Sequence, residues 1–435
     1  MTNETATNQS SRVMLKAELA RELPRLAAGY SSVFIIAGQT TAGHWLQEIQ
    51  TVLGKDSNAL VFESGEHSKN LKTVEHLCRQ LRSLGCDRKS LIISLGGGVS
   101  SDIAGFVAAS YMRGVAWIAV PTTVLAQADA AIGGKTGVNL NGYKNMVGSF
   151  YPPKAVLINS KFLTTLDKKY IREGLAEIIK MGFVCDKTIL DALDRIPTGQ
   201  LPGPQLNAAI ERAARAKLKI VNQDFRENGQ RKLLNFGHTI GHAVETLSLT
   251  SARPLLHGEA VAIGMLAEAK LAELEKLYAG NLSDQIRAYC QKFAINTEFQ
   301  IKPETILKTI ASDKKNSGTR INWTLPVAPG KGVFNHKASP ANIKQAITFI
   351  PDKNLLDFSR GAHRHQVILR QLFQLGPIIA EFNHAQQHHV IAGPIIIVGR
   401  QLAGHGGIEY EPLPFVYGNS LFGDLNLRGV HAESF

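Results

Sequence analysis

Cysteine is scarce in this chain of 435 residues, which contains only four. The four lie far apart and form no CxxC pair, which argues against both a thiolate zinc site and a disulfide framework. No apolar run approaches the roughly 20 residues needed to cross a bilayer. The start, MTNETATNQSS, lacks the basic and apolar regions of a secretory signal. We therefore expect a cytoplasmic globular protein with no membrane contact and with reduced cysteines at Cys78, Cys86, Cys185 and Cys290.

Basic runs interleaved with aromatic residues are also missing, although the net charge is +12. Lysine and arginine are scattered along the chain, so we expect no nucleic-acid partner. A positive field would instead assist the approach of a small, highly anionic substrate. With 44% hydrophobic residues, the chain is long enough for two packed domains.

Apolar runs alternate with helical patterns over residues 13–160. SSVFIIAG, NALVFES, KSLIISLGGG and AWIAVPTT contain runs typical of buried strands, and helical segments such as TVEHLCRQLRSLG lie between them. This order predicts a Rossmann-like α/β domain with a parallel sheet, whose ligands lie at the carboxyl ends of the strands. Residues 161–350 show helical spacing and predict an α-helical second domain.

The two ends of the chain fit neither domain. Residues 1–12 are polar, and we expect them to be disordered. Residues 351–435 form an extension of unknown role, whose proline and glycine content favours loops. The extension holds half of the fourteen histidines of the chain, but without a consistent ligand spacing.

A glycine-rich turn follows the strand LIISL and precedes the helical segment IAGFVAASYMRG. Glycines allow backbone N–H groups at a helix start to approach a pyrophosphate. The turn is not the GxGxxG fingerprint, and a tight structural turn explains three glycines about as well. Polar residues at two further strand ends, Glu66 and the pair Thr122 and Thr123, strengthen the prediction of a dinucleotide site. The turn residues concerned are Gly97, Gly98, Val99, Ser101 and Asp102.

A second glycine-rich segment, residues 129–145, carries Asp129, Lys135, Lys144 and Asn145. Lysine offers a point charge and asparagine a directed N–H, which together suit a phosphate or carboxylate. An equally good interpretation is that these lysines are solvated loop residues with no ligand. The sequence alone does not decide between an anion-binding site and solvated loop lysines.

Two helical segments carry candidate metal ligands. Glu177 and Lys180 are three apart and project from one helix face, where an internal salt bridge is the ordinary interpretation. His238 and His242 share a face with Asn235 in KLLNFGHTIGHAVE, and two histidines four apart can bind zinc. A pair of hydrogen-bonded core histidines is the simpler alternative. His257 begins another helix fifteen residues later.

Seven segments, taken together and in order, resemble the 3-dehydroquinate synthase family. They are SLGGGVSSDIAGF, VPTTVLAQADAAIGGKTGVN, KNMVGSFYPPKAVLI, GLAEIIK, LLNFGHTIGHAVE, LHGEAVAIGM and SDKK, and the resemblance spans roughly residues 20–335. It implies an NAD-binding α/β domain, an α-helical metal domain and an active site in the cleft between them. It also implies a homodimer.

The resemblance implies a role for each candidate residue. A zinc or cobalt ion would be held by Glu177, His238 and His257, so that His242 contacts substrate instead. The remaining residues implied for catalysis and substrate binding are Asp129, Lys135, Asn145, Lys180, Lys217, Arg231, Asn235, one of Lys314 and Lys315, and Arg113 reaching a neighbouring subunit. Those implied for NAD are Glu66, Lys69, Gly97, Gly98, Val99, Ser101, Asp102, Thr122, Thr123, Lys135, Lys144 and the stretch from Phe162 to Thr165.

The implied reaction converts a seven-carbon keto-acid sugar phosphate to 3-dehydroquinate and phosphate, with NAD oxidising and then reducing the same substrate carbon. Two departures from the family pattern bear on NAD binding: Gly38 lies where an aspartate is usual, and Ser101 replaces a glycine. Three alternatives stay open: an amino-dehydroquinate or valiolone-type cyclase, a metal-dependent alcohol dehydrogenase, and a non-catalytic homologue. Intact candidate zinc ligands argue against the last, and the lysines Lys135, Lys144 and Lys180 argue against a plain polyol substrate.

Overall fold

The computed structural model describes residues 11–54, 57–141, 143–199, 201–312 and 321–350, with four short strands between residues 399 and 422. Two compact units divide at residue 359. The N-terminal prediction of disorder falls largely on residues 1–10, which lie outside the described residues, while Arg12 already pairs with Ala155 in the first strand. Within the described part of the chain, no helix has both the length and the apolar character of a membrane span.

A six-stranded parallel sheet forms the first part of the large unit. Its strands are rich in β-branched and other apolar residues, and the central ones are buried on both faces, as expected when helices cover a parallel sheet. The four predicted strands are all present, and the predicted α/β class is confirmed. The spatial order is β1 (Arg12–Leu15), β8 (Ala155–Ile158), β5 (Ala116–Pro121), β4 (Leu91–Gly96), β2 (Val33–Gly38) and β3 (Ser57–Phe62).

Four helices flank this sheet. They are α1 (Leu19–Ala27), α2 (Gln39–Leu53), α3 (Leu71–Ser83) and α4 (Gly98–Ser110). The sequence places Asp102 in a turn before the helix, but α4 already begins at Gly98. The reason is local: Gly96 ends β4 with φ 154°, which turns the chain sharply enough for helical geometry to start two residues later.

The glycine-rich segment after β5 is a two-stranded antiparallel hairpin. It consists of β6 (Lys135–Leu140) and β7 (Tyr143–Phe150), with Gly137 opposite Gly148 in the register. Side chains at these two glycines would overlap the facing backbone, so the strands can approach only without them. Lys135 begins the first strand and Lys144 lies in the second.

The remainder of the large unit is mostly helical, in agreement with the prediction. An antiparallel hairpin that the helical spacing did not predict packs against it, formed by β9 (Trp323–Ala328) and β10 (Lys331–His336). The helices are α5 (Lys168–Val184), α6 (Thr188–Asp194), α7 (Pro204–Gln223), α8 (His238–Ser248), α9 (His257–Leu274), α10 (Leu282–Lys292), α11 (Pro303–Ser312) and α12 (Pro340–Thr348).

Three hydrophobic clusters hold the large unit together. One lies on the face of the sheet that carries Leu23, Trp45 and Phe162. The largest continues from the opposite face into α5 and α7, so that no apolar boundary separates the sheet from the first helices. A third joins α8, α9 and Trp323 of β9. This continuous packing fixes α5 and α9 relative to the strand ends.

The smaller unit contains two antiparallel strand pairs. They are β11 (Gly399–Leu402) with β12 (Glu409–Pro412), and β13 (Phe415–Tyr417) with β14 (Ser420–Phe422). The loop interpretation of the extension is therefore incomplete, because glycine and proline next to alternating apolar residues also suit short hairpins. Residues 351–398 lie outside the described part of the chain.

Candidate active site

Three helices bring Glu177, His238 and His257 together, and we call these three residues the metal group. Their potential ligand atoms all lie within 4.8 Å of one another. Glu177 Oε1 lies 3.6 Å from His238 Nε2 and 3.4 Å from His257 Nε2. Two atoms that each lie 2.0–2.1 Å from a tetrahedral zinc are about 3.3–3.4 Å apart. The spacing of the metal group therefore fits one zinc or cobalt ion.

Glu177 has the environment of a carboxylate that lacks its ligand. Its side chain is 1% exposed, and neither oxygen has a well-aligned hydrogen-bond donor among the described residues. Burial alone would raise the pKa of Glu177, but the charges of Lys180 and His257 outweigh burial and hold that pKa at about 2. An ionised, buried carboxylate beside two imidazoles is suited to a divalent cation.

Each histidine of the metal group is oriented by its second ring nitrogen. His238 Nδ1 lies 3.1 Å from the carbonyl oxygen of Phe236, and His257 Nδ1 lies 3.4 Å from Glu245 Oε2. These contacts leave the Nε2 atoms of both histidines, which lie on the side of Glu177, as the possible metal ligands. Burial and the nearby Lys180 hold the pKa of His238 well below its usual range, so this imidazole is neutral.

His257 lies between two carboxylates. Burial lowers its pKa, but contacts with Glu177 and Glu245 outweigh burial and raise the pKa to about 10. Without a metal, a proton on His257 thus supplies the positive charge that the two carboxylates require. His242 stacks edge-on at 5.1 Å from His238, and with Glu245 and His257 it forms a second compact group of possible ligands.

Two buried lysines extend the site from the metal group toward the sheet. Lys180 pairs with Glu177, one turn before it on α5. Lys217 of α7 lies 2.7 Å from Asp129 Oδ1 and donates to the Asp129 carbonyl oxygen at 2.6 Å. Burial lowers the pKa of Lys217, whereas the charge of Glu177 overcomes burial and raises the pKa of Lys180. The internal salt bridge expected for Glu177 and Lys180 therefore exists, and it lies within the metal group's surroundings.

A second cationic cluster surrounds Glu227. This carboxylate pairs with Lys135 and accepts a hydrogen bond of 2.7 Å from Asn235 Nδ2. Arg231 is 2% exposed and donates to the carbonyl oxygens of Gly133 and Phe225. Glu227 is therefore the anion that the Lys135 and Asn235 donors surround, with Arg231 nearby.

The α/β and helical regions are connected through Lys144. Its Nζ lies 2.6 Å from Glu245 Oε1, and the other oxygen of Glu245 contacts His257. Lys69 is buried, and its Nζ lies 2.5 Å from Asp102 Oδ2 in α4. Lys144 and Glu245 thus connect the β7 strand to the metal group, and a separate buried ion pair lies at the first turns of α4.

The glycine turn, residues 96–102, offers backbone rather than side chains. A Cβ atom at Gly97 would lie 2.9 Å from Thr123 Cγ2, and one at Gly98 would lie 3.4 Å from Ala130 Cβ. No side chain caps the start of α4, so its first N–H groups keep the capacity to bind an anion. Val99 lies in the first turn of this helix, and Thr122 is buried beside it on the loop after β5.

Ser101 does not extend toward the open side of the turn. It is 4% exposed, and its hydroxyl donates to the Gly97 carbonyl oxygen at 3.2 Å. Gly38 ends β2 and immediately precedes α2, where the Ser64 hydroxyl accepts a 2.8 Å hydrogen bond from the Thr40 N–H.

The other predicted cofactor residues lie around the same strand ends. Glu66 Oε1 accepts from Asn139 Nδ2 at 2.8 Å, and Asn139 Oδ1 in turn accepts from the Asn145 N–H. Phe162 is buried against Trp45, whose Nε1 donates to Thr165 at 3.0 Å.

Three predicted residues are not gathered into this site. Lys314 and Lys315 lie outside the described residues. Arg113 is exposed on the turn after α4, with φ 68°, and follows Met112 at φ 51°. Two consecutive non-glycine residues with positive φ mark a constrained turn that presents Arg113 to the surface.

Sequence reasoning missed Glu227 and Glu245. Glu245 lies three residues after His242 and so shares its helix face, which is a signal that could have been used. Glu227 lies in a polar loop, with φ 63°, and no spacing pattern identifies it. Its role becomes visible only when Lys135, 92 positions away, pairs with it.

Comparison with known proteins agrees with this geometry. Family models described as 3-dehydroquinate synthase N-terminal and C-terminal match residues 59–173 and 174–316. A 3-dehydroquinate synthase from Pyrococcus furiosus is 42% identical over 314 residues, which is 71% of this chain and 90% of the relative.

Two solved structures share the fold. One is 2-epi-5-epi-valiolone synthase from Streptomyces hygroscopicus with NAD+ and Zn2+ bound, at 27% identity and a TM-score of 0.71, covering 80% of this chain and 99% of that one. The other is 2-deoxy-scyllo-inosose synthase complexed with carbaglucose-6-phosphate, NAD+ and Co2+, at 25% identity and a TM-score of 0.70, covering 77% and 95%.

Proposed function

This chain belongs to the 3-dehydroquinate synthase family, and on that premise we propose that it converts 3-deoxy-D-arabino-heptulosonate 7-phosphate to 3-dehydroquinate and phosphate. The observation that carries the proposal is the meeting of a three-ligand metal group with two cationic clusters and a glycine turn. Such a site suits a substrate with a carboxylate, a phosphate and oxidisable hydroxyls.

In this proposal Glu177, His238 and His257 hold zinc or cobalt. Three protein ligands leave coordination positions for substrate oxygens, as a catalytic metal requires. When bound, the ion supplies a Lewis acid that lowers the pKa of a coordinated hydroxyl. Support comes from the ligand spacing and from the buried Glu177 carboxylate.

The glycine turn and its neighbours are proposed to hold NAD, which when bound accepts a hydride from the substrate and returns it. Gly97 and Gly98 leave room for a pyrophosphate near the start of α4, while Thr122 and Thr123 border it. Glu66 and Lys69 lie at the end of β3, where ribose hydroxyls would lie in this architecture. Phe162 and Thr165 are proposed to line the NAD site opposite these residues.

The chain's own polar residues are proposed to bind and orient the substrate. Lys180 and Lys217 are buried cations held in place by Glu177 and Asp129, and such fixed positive charges suit an anionic group of the substrate. Arg231, Asn235 and Lys135 form a second set of donors, currently satisfied by Glu227 and backbone carbonyls. His242 adjoins the metal group, with ring centroids 5.1 Å from His238 and 6.0 Å from His257. Asn145 is the remaining donor from β7.

Removal of a substrate C–H proton and loss of phosphate need orientation more than strong protein bases. Lysines fixed around the phosphate stabilise the charge that develops on the departing group, and that phosphate can itself accept the proton. Ring opening and intramolecular aldol closure then give 3-dehydroquinate, with no net oxidation.

The assembly and location are part of the proposal. We propose a homodimer in which Arg113 reaches the site of the second subunit, because this exposed arginine lies on a constrained turn. Mixing inactive Arg113→Ala and Glu177→Ala chains would then restore about a quarter of wild-type activity, since half of the dimers are mixed and each has one complete site. No restoration on mixing would contradict the shared site.

A cytoplasmic location fits the unpaired cysteines.

The test is a reaction with metal-loaded protein, NAD+ and 3-deoxy-D-arabino-heptulosonate 7-phosphate. We expect phosphate and dehydroquinate in equal amounts with no NADH accumulation. Glu177→Ala should abolish both products, whereas Glu75→Ala, which removes an exposed carboxylate paired with Arg79 on α3, should not.

Two other outcomes would redirect the assignment. Lasting NADH formation would indicate an alcohol dehydrogenase. Turnover of the amino analogue or of a heptulose phosphate without a carboxylate, in place of the keto-acid, would indicate an amino-dehydroquinate or valiolone-type cyclase. No reaction with any of them would favour a non-catalytic homologue.

A further inference from the structure

Glu268 is a buried carboxylate that the proposed mechanism does not use. It lies on α9, its side chain is fully buried, and no ion pair to it is present among the described residues. Its oxygens instead accept backbone hydrogen bonds: Oε2 from Gly237 N at 2.6 Å and Oε1 from Ile240 N at 3.0 Å. A buried glutamate without a cationic partner is uncommon, so the backbone groups that it binds are the guide to its role.

These partners surround His238. Gly237 immediately precedes this residue and Ile240 follows two positions later, so the carboxylate holds the backbone on both sides of it. His238 is also the first residue of α8. A helix start leaves unpaired N–H groups, and Gly237, in the left-handed conformation at φ 78°, has no side chain to pair with them. Glu268 supplies that cap from a different helix.

Close packing between α8 and α9 makes this arrangement possible. A Cβ atom at Gly264 would overlap the carbonyl oxygen of Gly237, and one at Gly241 would lie 3.0 Å from the Ala260 carbonyl oxygen. Glu268 lies one turn beyond Gly264 on the same face of α9. The backbones of α8 and α9 are thus in close contact. The Glu268 side chain of α9 can therefore accept hydrogen bonds from the backbone at the start of α8.

The same helix begins with His257. About three turns separate His257 from Glu268, so α9 carries one ligand of the metal group and anchors the backbone of another. The ring centroids of His238 and His257 lie 5.5 Å apart. This distance depends on α9, which carries His257, and on the Glu268 side chain, which holds the backbone next to His238.

We propose that Glu268 is a positioning residue for the metal site, holding His238 at the distance from Glu177 and His257 that one metal ion requires. This inference rests on the proposed metal group. It extends the set of residues on which metal affinity depends to a side chain that contacts neither metal nor substrate. Partners that orient metal ligands typically change affinity by roughly 10- to 100-fold when they are replaced.

The test compares Glu268→Gln with Glu273→Gln in the full chain. Glu273 lies on the same helix and caps the next one, accepting from Ser283 N and Oγ at 2.9 Å, far along α9 from the metal group. Both changes replace a capping carboxyl group with an amide of nearly the same size. Zn2+ affinity is measured by competition with a chromophoric chelator, and the ligand geometry by the visible absorption spectrum of the Co2+-substituted protein.

We expect Glu268→Gln to weaken Zn2+ affinity by at least 10-fold and to shift or broaden the Co2+ bands, with Glu273→Gln matching the wild type in both. Glu268→Asp, which keeps the carboxyl group, should recover part of the affinity. Equal thermal destabilisation by the two glutamine variants with unchanged Zn2+ affinity and Co2+ spectrum would overturn the proposal and leave Glu268 a plain helix cap.

Two controls separate this inference from the metal assignment. If Glu268→Gln does not fold, Glu268→Asp alone decides the question by the same two measurements. If His238→Ala binds Zn2+ as tightly as the wild type, the metal group itself is wrong and the role of Glu268 is overturned with it. Loss of Zn2+ in His238→Ala with wild-type affinity in folded Glu268 variants overturns only the positioning role.

Discussion

The metal group and the glycine turn prepare for charged ligands in opposite ways. At the metal group, buried ionised side chains compensate one another: Glu177 with Lys180 and His257, and His257 with Glu245. At the glycine turn the available polar atoms are backbone N–H groups at the start of α4, and space exists because Gly97 and Gly98 lack side chains. The first site is therefore sensitive to removal of a side chain, and the second to addition of one.

The largest effect is expected from Lys180→Met in the metal-free protein. This change leaves the Glu177 carboxylate buried without its lysine, and breaking a buried pair from one side costs about 3–5 kcal/mol. Urea denaturation measures the free energy of unfolding. Zn2+ should recover part of the loss, because a divalent ion also compensates Glu177.

The matched control is Lys161→Met, which removes a lysine that pairs with Glu48 at 2.7 Å but is half exposed. A solvent-exposed pair contributes at most about 1 kcal/mol. Equal losses from the two variants would mean that the metal group is no more dependent on charge compensation than the surface.

Proton release on metal binding is the second prediction. The folded pKa of His257 is raised to about 10, above its ordinary value of 6.5. Its protonation therefore stabilises the metal-free fold fully below pH 6.5, and this stability is lost as pH rises through 10. A metal must displace the proton, so Zn2+ affinity should rise about 10-fold per pH unit in this window.

Calorimetry in buffers of different ionisation enthalpy measures the release, which should be about one proton per Zn2+ at pH 7.5. His336→Gln, which removes a histidine paired with Glu275 just after the end of α9, should leave that value unchanged. Binding without proton release would show that His257 is neutral before the metal arrives.

At the glycine turn, Gly97→Val tests the effect of an added side chain. Its Cβ would press on Thr123, and crowding of this kind costs about 1–3 kcal/mol, or roughly 10-fold in NAD affinity. Zn2+ affinity should not change, which separates the two sites. NAD affinity is measured by fluorescence titration or calorimetry.

Gly43→Ala is the control for that change. Gly43 lies inside α2 with no atom within 4 Å of an added Cβ, so alanine should stabilise the fold by about 0.5–1 kcal/mol and leave NAD binding intact. Unimpaired NAD binding by Gly97→Val would show that the turn is not the pyrophosphate site.

The smallest effect is expected from Ser101→Gly, which restores the family residue. The Ser101 hydroxyl is directed at the Gly97 carbonyl oxygen, so its removal should change NAD affinity by less than about 3-fold. Thermal unfolding should show a loss of about 1 kcal/mol, because glycine is unfavourable within a helix. A large gain in NAD affinity would instead mean that Ser101 obstructs the turn.

Much of the fold is readable from local pattern. The runs VFIIAG and LIISL predict buried parallel strands because both faces of such strands need apolar side chains. The β9–β10 hairpin escaped prediction because its two short strands lie between helical segments. The predicted start of α4 was too late, because the glycine run is compatible both with a turn and with the first residues of a helix.

The candidate site divides in the same way. Residue spacing predicted that Glu177 lies near Lys180 on α5 and that His238 lies near His242 on α8, because helix geometry depends only on nearby residues. Spacing could not choose between His242 and His257 as the partner of His238. The resemblance to the family named His257, and the fold places its Nε2 3.4 Å from Glu177.

By itself, then, the sequence determined the alternation of strands and helices over residues 13–160, the helix faces on which Glu177, His238 and His242 lie, and the family to which those segments are similar. Only the tertiary structure decided the ion pairs between Lys135 and Glu227 and between Lys144 and Glu245, which join residues 92 and 101 positions apart. The physical reason is that periodicity acts over a few residues, whereas a buried charge must find its partner wherever packing brings one within a few ångströms.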